Sequence, residues 1–219
     1  MEQNGPATLR ERHTAETREA ILDTALELLH KSTRAGFSHE LIAKAAGMGA
    51  RTVYRHFPDR GQLLAALWSR LRNTTNIRFP NCEEEIVPLA RAGFQQFDEH
   101  ESLIRALLNS SAGTEVREQG RFEGRPAFAQ SLKQLLMAPS PRERDRIVAV
   151  FLAVYSAPFW QLLRDRGGLT GPEAQEAVAW VLGVLLQELR RENRSKHKRM
   201  VKDEEILRDK HEKSGRARR

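Results

Sequence analysis

Residues 42–60 read Ile42-Ala43-Lys44-Ala45-Ala46-Gly47-Met48-Gly49-Ala50-Arg51-Thr52-Val53-Tyr54-Arg55-His56-Phe57-Pro58-Asp59-Arg60. Gly47-Met48-Gly49 divides the stretch, because two glycines in three residues end a helix of only two turns. Ser38 is placed to cap the helix before the break, whose apolar side carries Leu41, Ile42, Ala45 and Ala46. A second short helix runs from about Ala50 to Phe57, and Pro58 stops it and can start the next. Val53 and Phe57 are four residues apart, share one face and point inward toward Ile42 and Ala46. Arg51 and Arg55, also four apart, then face outward, with Thr52 and Tyr54 beside them. Two short helices joined by a glycine turn form a helix-turn-helix, whose second helix enters the major groove of DNA.

Upstream, Ala20, Ile21, Thr24, Ala25, Leu28 and Leu29 recur at helical spacing. Thr14 or Thr17 is the expected cap of that helix, and Lys31, Ser32, Thr33 and Gly36 end it. Residues 1–13 lack periodicity, contain Gly5-Pro6 and read as a flexible arm carrying Arg10 and Arg12. Downstream, a helix from Gln62 to Leu71 places Leu63, Leu64, Leu67, Trp68 and Leu71 on its apolar side. Helices are expected at 83–100, 102–111, 123–137, 141–165 and 172–193, with Gly113, Gly120, Gly124, Pro139 and Gly167 among the breaks. No run alternates with period two. The fold class is therefore all-α, with a three-helix helix-turn-helix domain at 14–70 and a larger helical domain at 71–193. Residues 194–219 hold few apolar side chains and read as a basic, mobile tail or a charged helical extension.

The charge is uneven. The chain of 219 residues carries a net +7, and residues 190–219 alone hold 13 Lys/Arg against 6 Asp/Glu, an excess equal to the whole. A basic tail suits an anionic partner such as nucleic acid, and suits a solvated end equally well. No apolar run reaches the roughly 18 residues of a membrane helix. The polar first residues lack the apolar stretch of a signal peptide, so a cytoplasmic location and no membrane partner are expected. Cys82 is the only cysteine, which excludes an intrachain disulfide and a cysteine-rich zinc site. His39-Glu40 and His100-Glu101 begin a zinc-protease motif, but Ala43 and Ile104 stand where its second histidine belongs. No catalytic constellation, metal or cofactor is expected, and the chain does not read as an enzyme.

Residues 42–60 followed by Gln62-Leu63-Leu64 resemble the DNA-binding signature of the TetR/AcrR family of transcriptional regulators. Ile21-Leu22-Asp23-Thr24-Ala25-Leu26-Glu27-Leu28-Leu29 fits the first helix of that family at the same spacing, and the resemblance covers about residues 15–68. It implies that Ala50, Arg51 and Thr52 face base edges, with Arg55 on the same exposed side. Tyr54, His56 and Arg60 occupy positions that touch phosphates. Ser38 and His39 sit where the second helix abuts the backbone, and Gly49 sits at the cap of the recognition helix. Gly49 stands where the family usually has serine, Thr33 where a glycine is common, and His39 and Leu41 look exchanged. The resemblance further implies a homodimer on double-stranded, near-palindromic operator DNA. Repression is the family default, and a cavity lined by aromatics with a few polar groups would suit release by a small apolar or amphiphilic effector.

The second half is rich in large apolar side chains, most of which core packing would use. The resemblance implies a ligand cavity among these helices, for which Phe97, Phe128, Tyr155 and Phe159 are the candidate lining. Phe151 on one helix and Trp180, Val181 and Val184 on the next lie on stripes that could meet a second copy in a four-helix interface. The competing reading is a helical protein-interaction module whose helix-turn-helix does not read DNA, favoured by Gly49 and Thr33.

Overall fold

A computed structural model describes the backbone of residues 8–31, 37–137 and 139–216, with side chains except at Lys31 and 196–216. Among the described residues there are helices and no strand. The first four helices are α1 (Leu9–Lys31), α2 (His39–Ala45), α3 (Ala50–His56) and α4 (Arg60–Thr75). A 3-10 turn at Glu83–Glu85 leads into α5 (Ile86–Glu99), α6 (Glu101–Asn109) and α7 (Ser111–Ser131). The chain continues with α8 (Pro141–Val154), α9 (Ala157–Asp165) and α10 (Gly171–Arg216).

Helix α1 starts earlier than its threonines suggest. The Thr8 hydroxyl accepts from the Glu11 amide at 3.3 Å while the Glu11 carboxylate accepts from the Thr8 amide at 2.7 Å. This reciprocal capping box satisfies two donors that a helix start leaves open. Thr14 and Thr17 lie inside the helix and donate to the carbonyls of Arg10 and His13 at 2.8 and 2.7 Å. Residues 9–13, expected in the arm, are therefore helical, and 1–7 lie outside the described residues, as does Thr33.

Ser38 caps α2 as its position suggests, accepting from the Leu41 amide at 3.2 Å. Gly47 makes the turn with φ +66, a left-handed conformation that glycine enters without a side-chain clash. Pro58 ends α3, but Asp59 starts α4, its carboxylate accepting from the Gln62 amide at 2.8 Å. Ile21, Ala25, Ile42, Val53, Phe57, Leu63 and Leu67 are fully buried and form the core of the first domain. Ala43 takes the inward place expected of Ala46, which is only half-buried, while Ala45 is exposed.

Helix α7 contradicts the reading of its glycines as breaks. It runs unbroken through Gly113, Gly120 and Gly124, all buried. A Cβ on Gly120 would stand 2.6 Å from the Trp68 ring, and one on Gly124 would stand 2.7 Å from Leu152 Cδ1. These glycines allow helices to approach closely. The expected helix at 141–165 is two helices bent by 54° at residues 155–156. Pro158 lies in the first turn of α9, where no amide donor is required, and so opens a new helix.

Helix α10 continues to Arg216, so residues 194–216 are the helical extension and not a coil. At about 1.5 Å per residue the whole helix spans roughly 70 Å. Ala174, Val178, Leu182, Leu186 and Leu189 bury one stripe of it, mainly against α5. No single helix among the described residues is long and apolar enough to cross a membrane.

Candidate nucleic-acid interface and cavity

Because Val53 and Phe57 anchor the inner face of α3, its outer face is fixed by helical geometry. Arg51, Tyr54 and Arg55 are exposed there, Gly49 is exposed at its start, and Ala50, Thr52 and His56 are half-exposed. Gly49 caps α3 without a side-chain bond, and the helix forms nonetheless. Arg18 of α1 stacks its guanidinium 4.3 Å over the Phe57 ring and donates to the His56 carbonyl, tying α1 to the end of α3.

Tyr54 is not a free hydroxyl. Its OH donates to Glu40 Oε1 at 2.7 Å, and its ring stacks on His39 with centroids 4.4 Å apart. That bond stabilises the charged form of Glu40 and holds its carboxyl below the ordinary range. His39 departs from expectation. It is buried, and its Nε2 lies 2.9 Å from the Phe57 carbonyl, so its ring braces α2 against α3 and is not displayed to a partner. The exchange of His39 and Leu41 seen in the sequence has this consequence: the ring goes inward and Leu41 stays half-exposed.

Arg60 is committed elsewhere. Its guanidinium makes two bonds to Glu115 of α7, at 2.7 and 2.8 Å, and a third to the Phe37 carbonyl at 2.5 Å. His56 carries a buried Nε2 with no partner, and desolvation, followed by the charges of Arg55 and Arg18, holds its pKa below the usual value. Ser38 lies half-buried with its hydroxyl used by the cap of α2.

In the larger domain a cavity of about 490 Å³ lies between α4, α7, α8 and their neighbours. Of the four candidate lining residues, Phe97 and Tyr155 are on its wall. Phe128 and Phe159 do not. Phe128 is fully buried between Phe151 and Tyr155, edge-on to the latter with centroids 5.1 Å apart. Composition alone missed Trp68, Phe79 and the arginines Arg117, Arg121 and Arg125, which also form the wall. The three arginines recur every four residues, a signal for one helical face that the expected break at Gly124 obscured. Tyr155 donates its hydroxyl to the Arg78 carbonyl at 2.6 Å, and burial raises its pKa.

The candidate interface residues also divide. Phe151 is 1% exposed and belongs to the core, its ring packed near that of Phe128. Trp180 is 71% exposed and Val184 46%, while Val181 is half-buried.

Residues 21–67 match the family model for bacterial regulatory proteins of the tetR family. Over those residues the chain is similar to the DNA-binding domain of tetR-family regulators. It is 36% identical over 76 residues to the HTH-type transcriptional repressor LfrR of Mycolicibacterium smegmatis, covering 35% of this chain and 39% of that one. It is 42% identical over 53 residues to the HTH-type transcriptional regulator AcrR of Shigella flexneri, covering 24% and 25% of the two chains. These matches thus span well under half of each curated relative. The fold extends further. A tetR-family transcriptional regulator from Streptomyces coelicolor superposes with TM-score 0.54 at 20% identity, over 86% of this chain and 90% of that one. NalD, the secondary repressor of the MexAB-OprM multidrug efflux pump in Pseudomonas aeruginosa, gives TM-score 0.54 at 21% identity, over 78% and 95%.

Proposed function

We propose that this chain is a cytoplasmic, ligand-responsive transcription regulator, a repressor that binds a near-palindromic operator as a homodimer. The observation that carries the reading is the outer face of α3, where Arg51, Tyr54 and Arg55 stand exposed over an anchored core. Arg51 reads a base edge with Ala50 and Thr52, while Arg55, Tyr54 and His56 meet the backbone. The names of LfrR and NalD as repressors support the sign of the regulation.

The exposed stripe of Trp180 and Val184 on α10 is the surface on which a second copy would pack, giving the two-fold symmetry that a palindrome mirrors. The cavity is the effector site. Trp68 and Leu71 of α4 form part of its wall, and α4 follows directly from the reading helix. Helix α7 forms the opposite wall and is tied to the start of α4 by Arg60–Glu115 and to its end by Arg72–Glu123. A ligand that moves α4 against α7 changes the placement of α3, provided it binds the two arrangements with different affinity.

Selection of bound sequences from random DNA tests the reading. The expected site is a near-palindrome with half-sites about one helical turn apart, roughly 34–36 Å, or a multiple of it. Absence of any enriched sequence would favour the interaction-module reading.

A further inference from the structure

The lining of the cavity is asymmetric in charge. Arg117, Arg121 and Arg125 all contribute to its wall, and no aspartate or glutamate does. They stand at four-residue intervals on α7, so they form one ridge with neighbours about 6 Å apart along the axis. Arg121 and Arg125 have carboxylate partners outside the lining, in Glu118 and Asp145. Arg117 has none. It is half-buried, and its bonds go only to neutral oxygens, the Gly113 carbonyl at 3.3 Å and the Thr114 hydroxyl at 3.0 Å. A partly desolvated cation with no carboxylate bonded to it carries a cost, which the nearby charge of Glu118 offsets only in part. Burial accordingly pulls its pKa down. A second donor on the wall is also unmet: Trp68 is 8% exposed and its indole N–H has no acceptor. The rest of the wall is apolar, with Phe79, Phe97 and Leu152 among it.

We propose that the cavity binds an organic anion, an apolar body carrying a carboxylate or comparable acid group that pairs with Arg117. The proposal rests on the reading of this cavity as the effector site. An anion supplies a directly bonded counter-charge in place of neutral oxygens, and the wall of rings and aliphatic groups receives the body. A cationic amphiphile would instead meet the like charge of Arg117 with no acid in the lining to receive it.

Three probes with the same chain and different charge test it: decanoate, decanol and decyltrimethylammonium. Each is titrated calorimetrically into the full-length protein. The expected order is decanoate at least tenfold tighter than decanol, with the ammonium weakest. Arg117→Met should bring decanoate down to the level of decanol and leave decanol unchanged, while Arg117→Lys should keep part of the preference. Thermal unfolding of each variant reports whether it is folded. Ala153→Trp, which places a large ring on the cavity wall, should weaken every probe. Equal binding of all three, or a tighter ammonium, would overturn the anion and leave the cavity as a site. Decanoate binding untouched by Arg117→Met would overturn the pairing. No binding by any probe, or binding indifferent to Ala153→Trp, would contradict the cavity reading itself and the proposal with it.

Discussion

Arg60, the first residue of α4, holds Glu115 of α7 through two parallel bonds of 2.7 and 2.8 Å. The pair joins the DNA-binding-type domain to a wall of the cavity. Both side chains are about two-fifths exposed, so the pair contributes at most about 1 kcal/mol to folding. Its weight lies in position. The resemblance to the family suggests a phosphate contact for Arg60, yet three of its five N–H groups already serve Glu115 and Phe37 and fix its direction.

The expected consequence is that Arg60→Ala changes the salt slope of DNA binding by well under the one unit that a phosphate contact supplies. Glu115→Gln should release the guanidinium and steepen the slope. Both variants should reduce the effect of a bound ligand on operator affinity. The check is reciprocal: operator affinity with and without ligand, and ligand affinity with and without operator, must change by the same factor. A slope that falls by a full unit in Arg60→Ala would show that Arg60 leaves Glu115 on the DNA.

His56 gives a pH dependence whose sign follows from its burial. Its native pKa lies below the ordinary value of about 6.5, so the unfolded chain binds the proton more readily. Its contribution to stability is therefore present above about pH 6.5 and is lost as pH falls through the native pKa. Denaturant unfolding across that window should show a smaller acid loss in His56→Gln than in the parent. Identical pH profiles would mean that His56 does not contribute.

Trp180 tests the interface. A large apolar ring exposed to 71% on a helix whose other stripe is buried is a patch that a second copy would cover. Trp180→Glu places a charge there and should weaken self-association at least tenfold in sedimentation equilibrium. Unchanged association would move the interface away from this stripe.

The reading domain was largely legible because its signals are local. Ser38, Gly47, Val53 and Phe57 each act through helical spacing or a single turn, and the structure uses each as its spacing suggests. What failed depended on partners distant in sequence. Gly120 and Gly124 look like breaks until Trp68, Phe79 and Leu152 are packed against them. Phe128 looks like an equal of Phe97 as a cavity residue, and only the rings of Phe151 and Tyr155, distant in sequence, place it in the core. The commitment of Arg60 to Glu115, 55 residues away, has no local signature at all. The cap at Thr8 was legible, since Glu11 follows three residues later, but Gly5-Pro6 nearby suggested an arm.

If the outer face of α3 reads DNA, Arg51 is the side chain whose loss shows it. Affinities of the parent and Arg51→Ala should be measured at one salt concentration, on the selected operator and on random DNA. The expected loss is about 1–3 kcal/mol on the operator, with one position of the site relaxed, and much smaller on random sequence. Equal affinities of parent and variant on the operator, or an equal loss on both DNAs, would contradict it.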